Sequence, residues 1–152
     1  MNRPEATATF VTATPDAAPS QPALLVRYQP YILSILRIMA GLLFCEHGLS
    51  KLFGFPPHGA MPVFPALEWF AGCIESGGGI LVALGLFTRQ AAFIMSGEMA
   101  IGYFLYHAPK SFFPLLSGGD AAVLFCFIFL FLVFAGPGPL SLDALVRGKK
   151  HP

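Results

Sequence analysis

Charge is scarce in this chain. Nine Lys or Arg and eight Asp or Glu stand among 152 residues, 11% in all, where an average soluble domain carries about a quarter. The formal net charge of +1 leaves no basic stripe, so nucleic acid is excluded as a partner. Cysteine is equally sparse. Cys45, Cys73 and Cys126 all sit in apolar stretches, are odd in number and form no C-x-x-C pair. A disulfide framework and a structural zinc site are therefore not expected, and small buried apolar side chains are. Flavin, nicotinamide and Walker fingerprints are missing. Gly and Pro are raised, but without a G-X-Y period, which excludes collagen.

What is present is apolar. Hydrophobic residues make up 55% of the chain and the mean hydropathy is +0.68, which excludes disorder along its whole length. The length suits one domain. Residues 1–26, rich in Ala, Thr and Pro, read as a flexible tail without the core or cleavage site of a signal peptide. Residues 146–152 read as a short basic tail. Between them lie four apolar blocks, about Tyr31–Phe53, Ala66–Phe87, Gln90–His107 and Ala121–Ala135. A membrane helix needs roughly 17–25 residues. Three blocks meet that, and the fourth, though short, is the most purely apolar. The predicted fold is all-α: an integral membrane four-helix bundle over residues 27–145.

The punctuation fits. Pro56-Pro57, Pro62 and Pro65 break the first connection. Thr88-Arg89 form the second. Pro109, Pro114 and Gly118-Gly119 break the third, and Gly136-Pro137-Gly138-Pro139 ends the last block. Asp120 is placed to cap the fourth helix. With four spans, Arg3, Arg27, Arg89, Arg147, Lys149 and Lys150 share one side, and Lys51 and Lys110 the other. That bias predicts that both termini are cytoplasmic, in the inner membrane of the cell.

Seven ionisable side chains interrupt the blocks: Arg37, Glu46, His47, Lys51, Glu68, Glu75 and Glu98. Such groups are costly in lipid, so they face the interior and mark function or register. At 100° per residue, Arg37, Gly41, Phe44, Gly48 and Lys51 share one stripe, with His47 at its margin. Glu68, Gly72, Glu75 and Gly79 share a second. Ala91, Met95, Glu98, Gly102 and Leu105 share a third. Glu46 points almost opposite Arg37. Small residues in these stripes let helices approach closely, which also accounts for Gly77-Gly78-Gly79 better than a nucleotide loop does. Most of the ionisable groups gather toward the outer end, with His58, His107, Lys110 and Asp120.

Buried carboxyls suit proton exchange and His47 suits its relay. We therefore assign Glu75, Glu98 and His47 as candidate catalytic residues. Arg37, Lys51, Glu46, Glu68 and His107 are candidate ligand-binding residues, and no metal site is assigned. A quinol needs this equipment, because it sheds two protons as its electrons leave. Phe44, Phe70, Phe93 and Phe104 are candidate walls for its ring and tail. Two other readings use the same sequence: a scaffold for a redox partner without chemistry of its own, and a proton-coupled small-molecule transporter whose path a dimer would enclose. For a transporter four helices are few.

The segment His47-Gly48-Leu49-Ser50-Lys51-Leu52-Phe53-Gly54-Phe55 resembles the DoxX family of small four-helix bacterial membrane proteins. Arg37-x-x-x-Gly41, the run Gly78 to Arg89, Glu98-Met99-Ala100 with the later His107, and Gly136 to Asp143 extend the likeness over about Tyr31 to Asp143. The resemblance implies a membrane subunit of a quinone-linked oxidoreductase, with partner subunits supplying metals or flavin. Four His, only one of them well inside a block, are too few for an oxidase core, and a bis-His haem between His47 and His107 is disfavoured by their different depths. No complete catalytic machinery and no covalently bound cofactor are expected, and quinone or quinol is the small molecule anticipated. The partners anticipated are the bilayer, other redox subunits and a second copy of the chain.

Overall fold

A computed structural model describes residues 22–57 and 65–148. Among them every regular element is helical: α1 (Ala23–Phe53), α2 (Pro65–Leu84), α3 (Thr88–Gly102), a π-helical turn (Tyr103–His107), α4 (Pro114–Ser117), α5 (Asp120–Ala135) and α6 (Leu142–Gly148). Two of them, over Leu24–Phe53 and Pro65–Leu84, are long and apolar enough to cross a membrane. The α5 helix is as apolar, but its 16 residues span only about 24 Å at 1.5 Å each, short of a hydrocarbon core of about 30 Å.

Several predicted boundaries move. The N-terminal tail was expected to reach Val26, but α1 begins at Ala23, after Pro22, whose fixed φ of −52° leads into the helix; residues 1–21 lie outside the described residues. The C-terminal tail was expected from residue 146, yet α6 runs on to Gly148. The second block ends three residues early, at Leu84. Gly85 at φ +70° and Phe87 at φ +49° make the turn, so Thr88 and Arg89 are not the loop but the start of α3. Asp120 is the first residue of α5 rather than its cap, and Gly119 stands at the cap position without a side-chain bond. The third connection contains a helical turn of its own, α4, with Pro114 at its start. His58 and Pro62 fall outside the described residues.

The α1 helix packs chiefly on α2, α3 chiefly on α5, and α2 on α3 joins the two pairs. Glycine sets the first contact. A Cβ on Gly41 would stand 2.6 Å from the Ala83 nitrogen, and one on Gly79 would stand 2.7 Å from the Cys45 nitrogen. The two backbones touch there, as small residues permit between helices in lipid. Gly48 and Gly72 continue the same seam, Gly72 against the side chain of Leu52. The centre is filled by Phe44, Val82, Ala92, Met95, Phe129 and Leu132. Phe44 meets Phe129 edge-on at 4.8 Å between centroids. Outward, α5 presents Leu124, Phe127, Phe131 and Phe134, each more than half exposed. A water-facing helix of that kind would be an aggregation surface.

Candidate functional site

The glycine seam fixes where the polar groups can meet. Lys51 lies in the last turn of α1, and Glu68 and Glu75, seven residues apart, share one face of α2. Because α1 and α2 touch, Lys51 reaches both acids. Its Nζ donates to Glu75 Oε1 at 2.7 Å and stands 3.5 Å from Glu68 Oε2. The Glu75 side chain is 2% exposed, so this is a nearly water-free ion pair on the acid's side, while Lys51 keeps 29% of its surface. From α3, Glu98 comes within electrostatic reach of Glu75, Lys51 and Glu68. His47, one turn before Lys51, acts on Glu75 in the same way, and Tyr106 acts on Glu68 and Lys51.

This pole of the molecule is polar but incompletely satisfied. Buried Glu75 Oε2, Glu98 Oε2 and the Tyr106 hydroxyl have no hydrogen-bond partner among the described residues, nor has Ser76 Oγ. Buried polar atoms are paired in the great majority of cases, and each unpaired one costs about 1–3 kcal/mol. Three such atoms around one ion pair call for polar partners from outside the described residues, water or a ligand.

The remaining candidates lie elsewhere, except His47, which is beside Glu75 but turns its ring outward. Arg37 is wholly buried but far from Lys51, about 21 Å along α1 at 1.5 Å per residue. It donates to Pro137 O at 2.8 Å, Ala83 O at 2.7 Å, Leu140 O at 2.5 Å and also to Val82 O. Its donors are spent on backbone. Glu46 is exposed on the outside of α1. The His47 ring is also exposed, with Nδ1 2.8 Å from Leu43 O and its face edge-on to Phe125. His107 Nδ1 is 3.0 Å from Ser117 O, and its ring stacks near Tyr103. Of the four phenylalanines expected as walls only Phe44 is buried. Phe70, Phe93 and Phe104 are 61–70% exposed and face outward, because they fall between the small-residue stripes, on the outer sides of their helices. Phe125 and Phe129 flank Phe44 instead. An open apolar groove of about 710 Å³ lies between α1 and α5 at the Arg37 pole, lined by Val26, Gln29, Pro30, Leu33, Phe131 and Ala135 among others. It holds none of the ionisable candidates.

The DoxX family model matches residues 32–108, just over half the chain and the stretch that carries Lys51, Glu68, Glu75 and Glu98. The chain belongs to the DoxX family. Within it, an uncharacterized protein of Haemophilus influenzae is 45% identical over 78% of this chain and 93% of its own length. An uncharacterized membrane protein of Mycobacterium tuberculosis is 30% identical over 86% and 90%. A Bacillus subtilis protein provisionally named an oxidoreductase, CatD, is 29% identical over 77% and 89%. No solved structure matches. This DoxX chain is thus a membrane protein in contact with the lipid bilayer.

Two features of the DoxX chain escaped the periodicity argument. Leu105, expected on the inner stripe of α3, is 54% exposed, and Tyr106 takes its place. The cause is the π-helical turn, closed by Ala108 N to Tyr103 O at 2.9 Å. A wider turn advances the inward face by one residue, and such turns recur at functional sites. It packs on bare backbone: a Cβ on Gly119 would stand 2.7 Å from the Tyr103 ring. The other feature is Asp143. Its carboxylate accepts from Phe87 N, Thr88 N and Thr88 Oγ1, each at 3.1 Å. It caps α3 from a distant segment and steadies Phe87 in the left-handed region, which side chains rarely occupy.

Proposed function

We propose that this DoxX chain is an integral membrane subunit of a quinone-linked redox system and holds a quinol head group between Lys51, Glu75, Glu98 and Tyr106. In this reading α1, α2, α3 with its wide turn, and α5 are four spans of the inner membrane. Both termini are cytoplasmic, in keeping with Arg27 and Arg89 on one side and Lys51 and Lys110 on the other. The observation that carries the reading is the pairing of Lys51 with a buried Glu75, with unpaired carboxylate oxygens on Glu75 and Glu98 beside it. A quinol brings two hydroxyls. On oxidation its two electrons pass to a metal- or flavin-bearing partner subunit and its two protons need acceptors. Glu75 and Glu98 are acids of the required kind, His47 is level with Glu75, and Glu68, near the start of α2, leads toward the nearer end of the helices. The name of the Bacillus subtilis relative points the same way. Arg37 and Glu46 have no part in this site.

Purified protein in lipid nanodiscs is expected to bind a short-tailed benzoquinol. Glu98→Gln should weaken that binding about tenfold, or roughly 1.4 kcal/mol, without loss of thermal stability. Unchanged affinity in both Glu75→Gln and Glu98→Gln would remove the site.

A further inference from the structure

We infer that Glu75 makes this site selective for the reduced, hydroxyl-bearing form of its ring ligand over the oxidised form. The inference rests on the reading above that the site takes a quinone or quinol ring, and concerns which of the two it prefers. Glu75 Oε1 is held by Lys51 Nζ at 2.7 Å, while Oε2, on a side chain only 2% exposed, has no partner among the described residues. A carboxylate bound to an ammonium group through one oxygen offers the other as an acceptor only. What Oε2 lacks is therefore a donor.

The two forms of the ligand differ in that respect. A hydroquinone presents O–H groups and can complete Glu75. A quinone presents carbonyl oxygens, which only accept, so the same pose sets lone pair against lone pair at an oxygen closed to water. A site built around a substrate hydroxyl discriminates strongly against the analogue lacking it, because its own buried group is left unpaired. The neighbours do not reverse this. Lys51 Nζ directs two of its three N–H donors at Glu75 and Glu68, and the third serves a hydroxyl oxygen as well as a carbonyl oxygen. Glu98 Oε2, also without a partner among the described residues, accepts from a hydroxyl as a carboxylate and serves either form as an acid. The Tyr106 hydroxyl both donates and accepts, so it serves either form. The reduced form is then the one that arrives and the oxidised form the one that leaves.

The test uses the full chain in nanodiscs, under anaerobic conditions, with three probes: a benzoquinone bearing one isoprenoid unit, its hydroquinone, and the dimethyl ether of that hydroquinone, which keeps the ring but has no donor. The hydroquinone should bind at least about tenfold more tightly than either of the others, a preference that raises the midpoint potential of the bound two-electron couple by about 30 mV per tenfold. In Glu75→Gln, whose amide can donate to a carbonyl, the ratio should fall below about threefold while the melting temperature holds. Equal binding of hydroquinone and quinone by the natural chain, or tighter quinone binding, overturns the selectivity and leaves the quinone site standing. Binding of none of the probes overturns both. A preference that survives in folded Glu75→Gln or Glu75→Leu protein removes Glu75 as its source.

Discussion

Two poles of the same helices hold charge in opposite ways. At one, Arg37 gives its protons to four backbone carbonyls, Asp143 receives three donors at the start of α3, and Arg89 donates to Val133 O and Phe134 O at the end of α5. Each of these groups closes a helix end or a turn that has no internal partner. At the other, Lys51 and Glu75 pair, but Glu75, Glu98 and Tyr106 keep unpaired atoms. Polar residues inside a membrane are expected to be functional. The contrast sharpens that rule: a charge whose hydrogen bonds are all answered within the chain is architecture, and one left wanting a partner points to something the chain binds.

The contrast can be broken by substitution. Arg37→Met strands several buried carbonyls at about 1–3 kcal/mol each, so a loss of at least about 3 kcal/mol is expected, seen as a collapse of the melting temperature or of folded yield. Gly79→Val forces α1 and α2 apart, an overpacking that costs about 1–3 kcal/mol. Unlike a change at the Arg37 pole, it should also weaken quinol binding, because it moves Lys51 away from Glu75. Asp143→Ala removes a cap worth about 1 kcal/mol and should lower the melting temperature while leaving ligand affinity intact. Parallel losses of stability and affinity in that variant would mean that the poles are not separate. Glu46→Gln, on the exposed side of α1, should move stability by less than about 0.5 kcal/mol and leave binding unchanged.

Much of this was legible in the chain's pattern, and particular residues show where legibility ended. Arg37, Gly41, Phe44 and Gly48 are all buried, as are Gly72, Glu75 and Gly79, because a regular helix obeys its 100° step. Periodicity identifies a face but not its neighbour, so Arg37 and Lys51 looked equivalent on one stripe while their surroundings differ entirely. The carbonyls that claim Arg37 belong to residues 82–83 and 137–140, and backbone acceptors leave no mark in side-chain spacing. Asp143 was visible only as part of a familiar ending, since a cap supplied from 55 residues away has no local signature. Leu105 was misplaced because its turn is not α-helical. The start of α1 is earlier than the pattern predicts because Ala, Leu and Val before Arg27 follow a Pro-rich stretch that masks their helical character.

The wide turn at Tyr103–His107 has a consequence for comparing this chain with its relatives. It adds one residue to α3 without lengthening any loop, so residues on either side keep step with different rulers. Position-by-position correspondence drawn through Glu98 slips by one at Tyr106 in any relative whose helix stays regular there. In such a relative the residue in line with Leu105 faces inward, so the counterpart of this tyrosine stands one place earlier. Whether a relative carries the same inward-pointing phenol has to be decided by counting hydrogen bonds in the turn, not letters in the row.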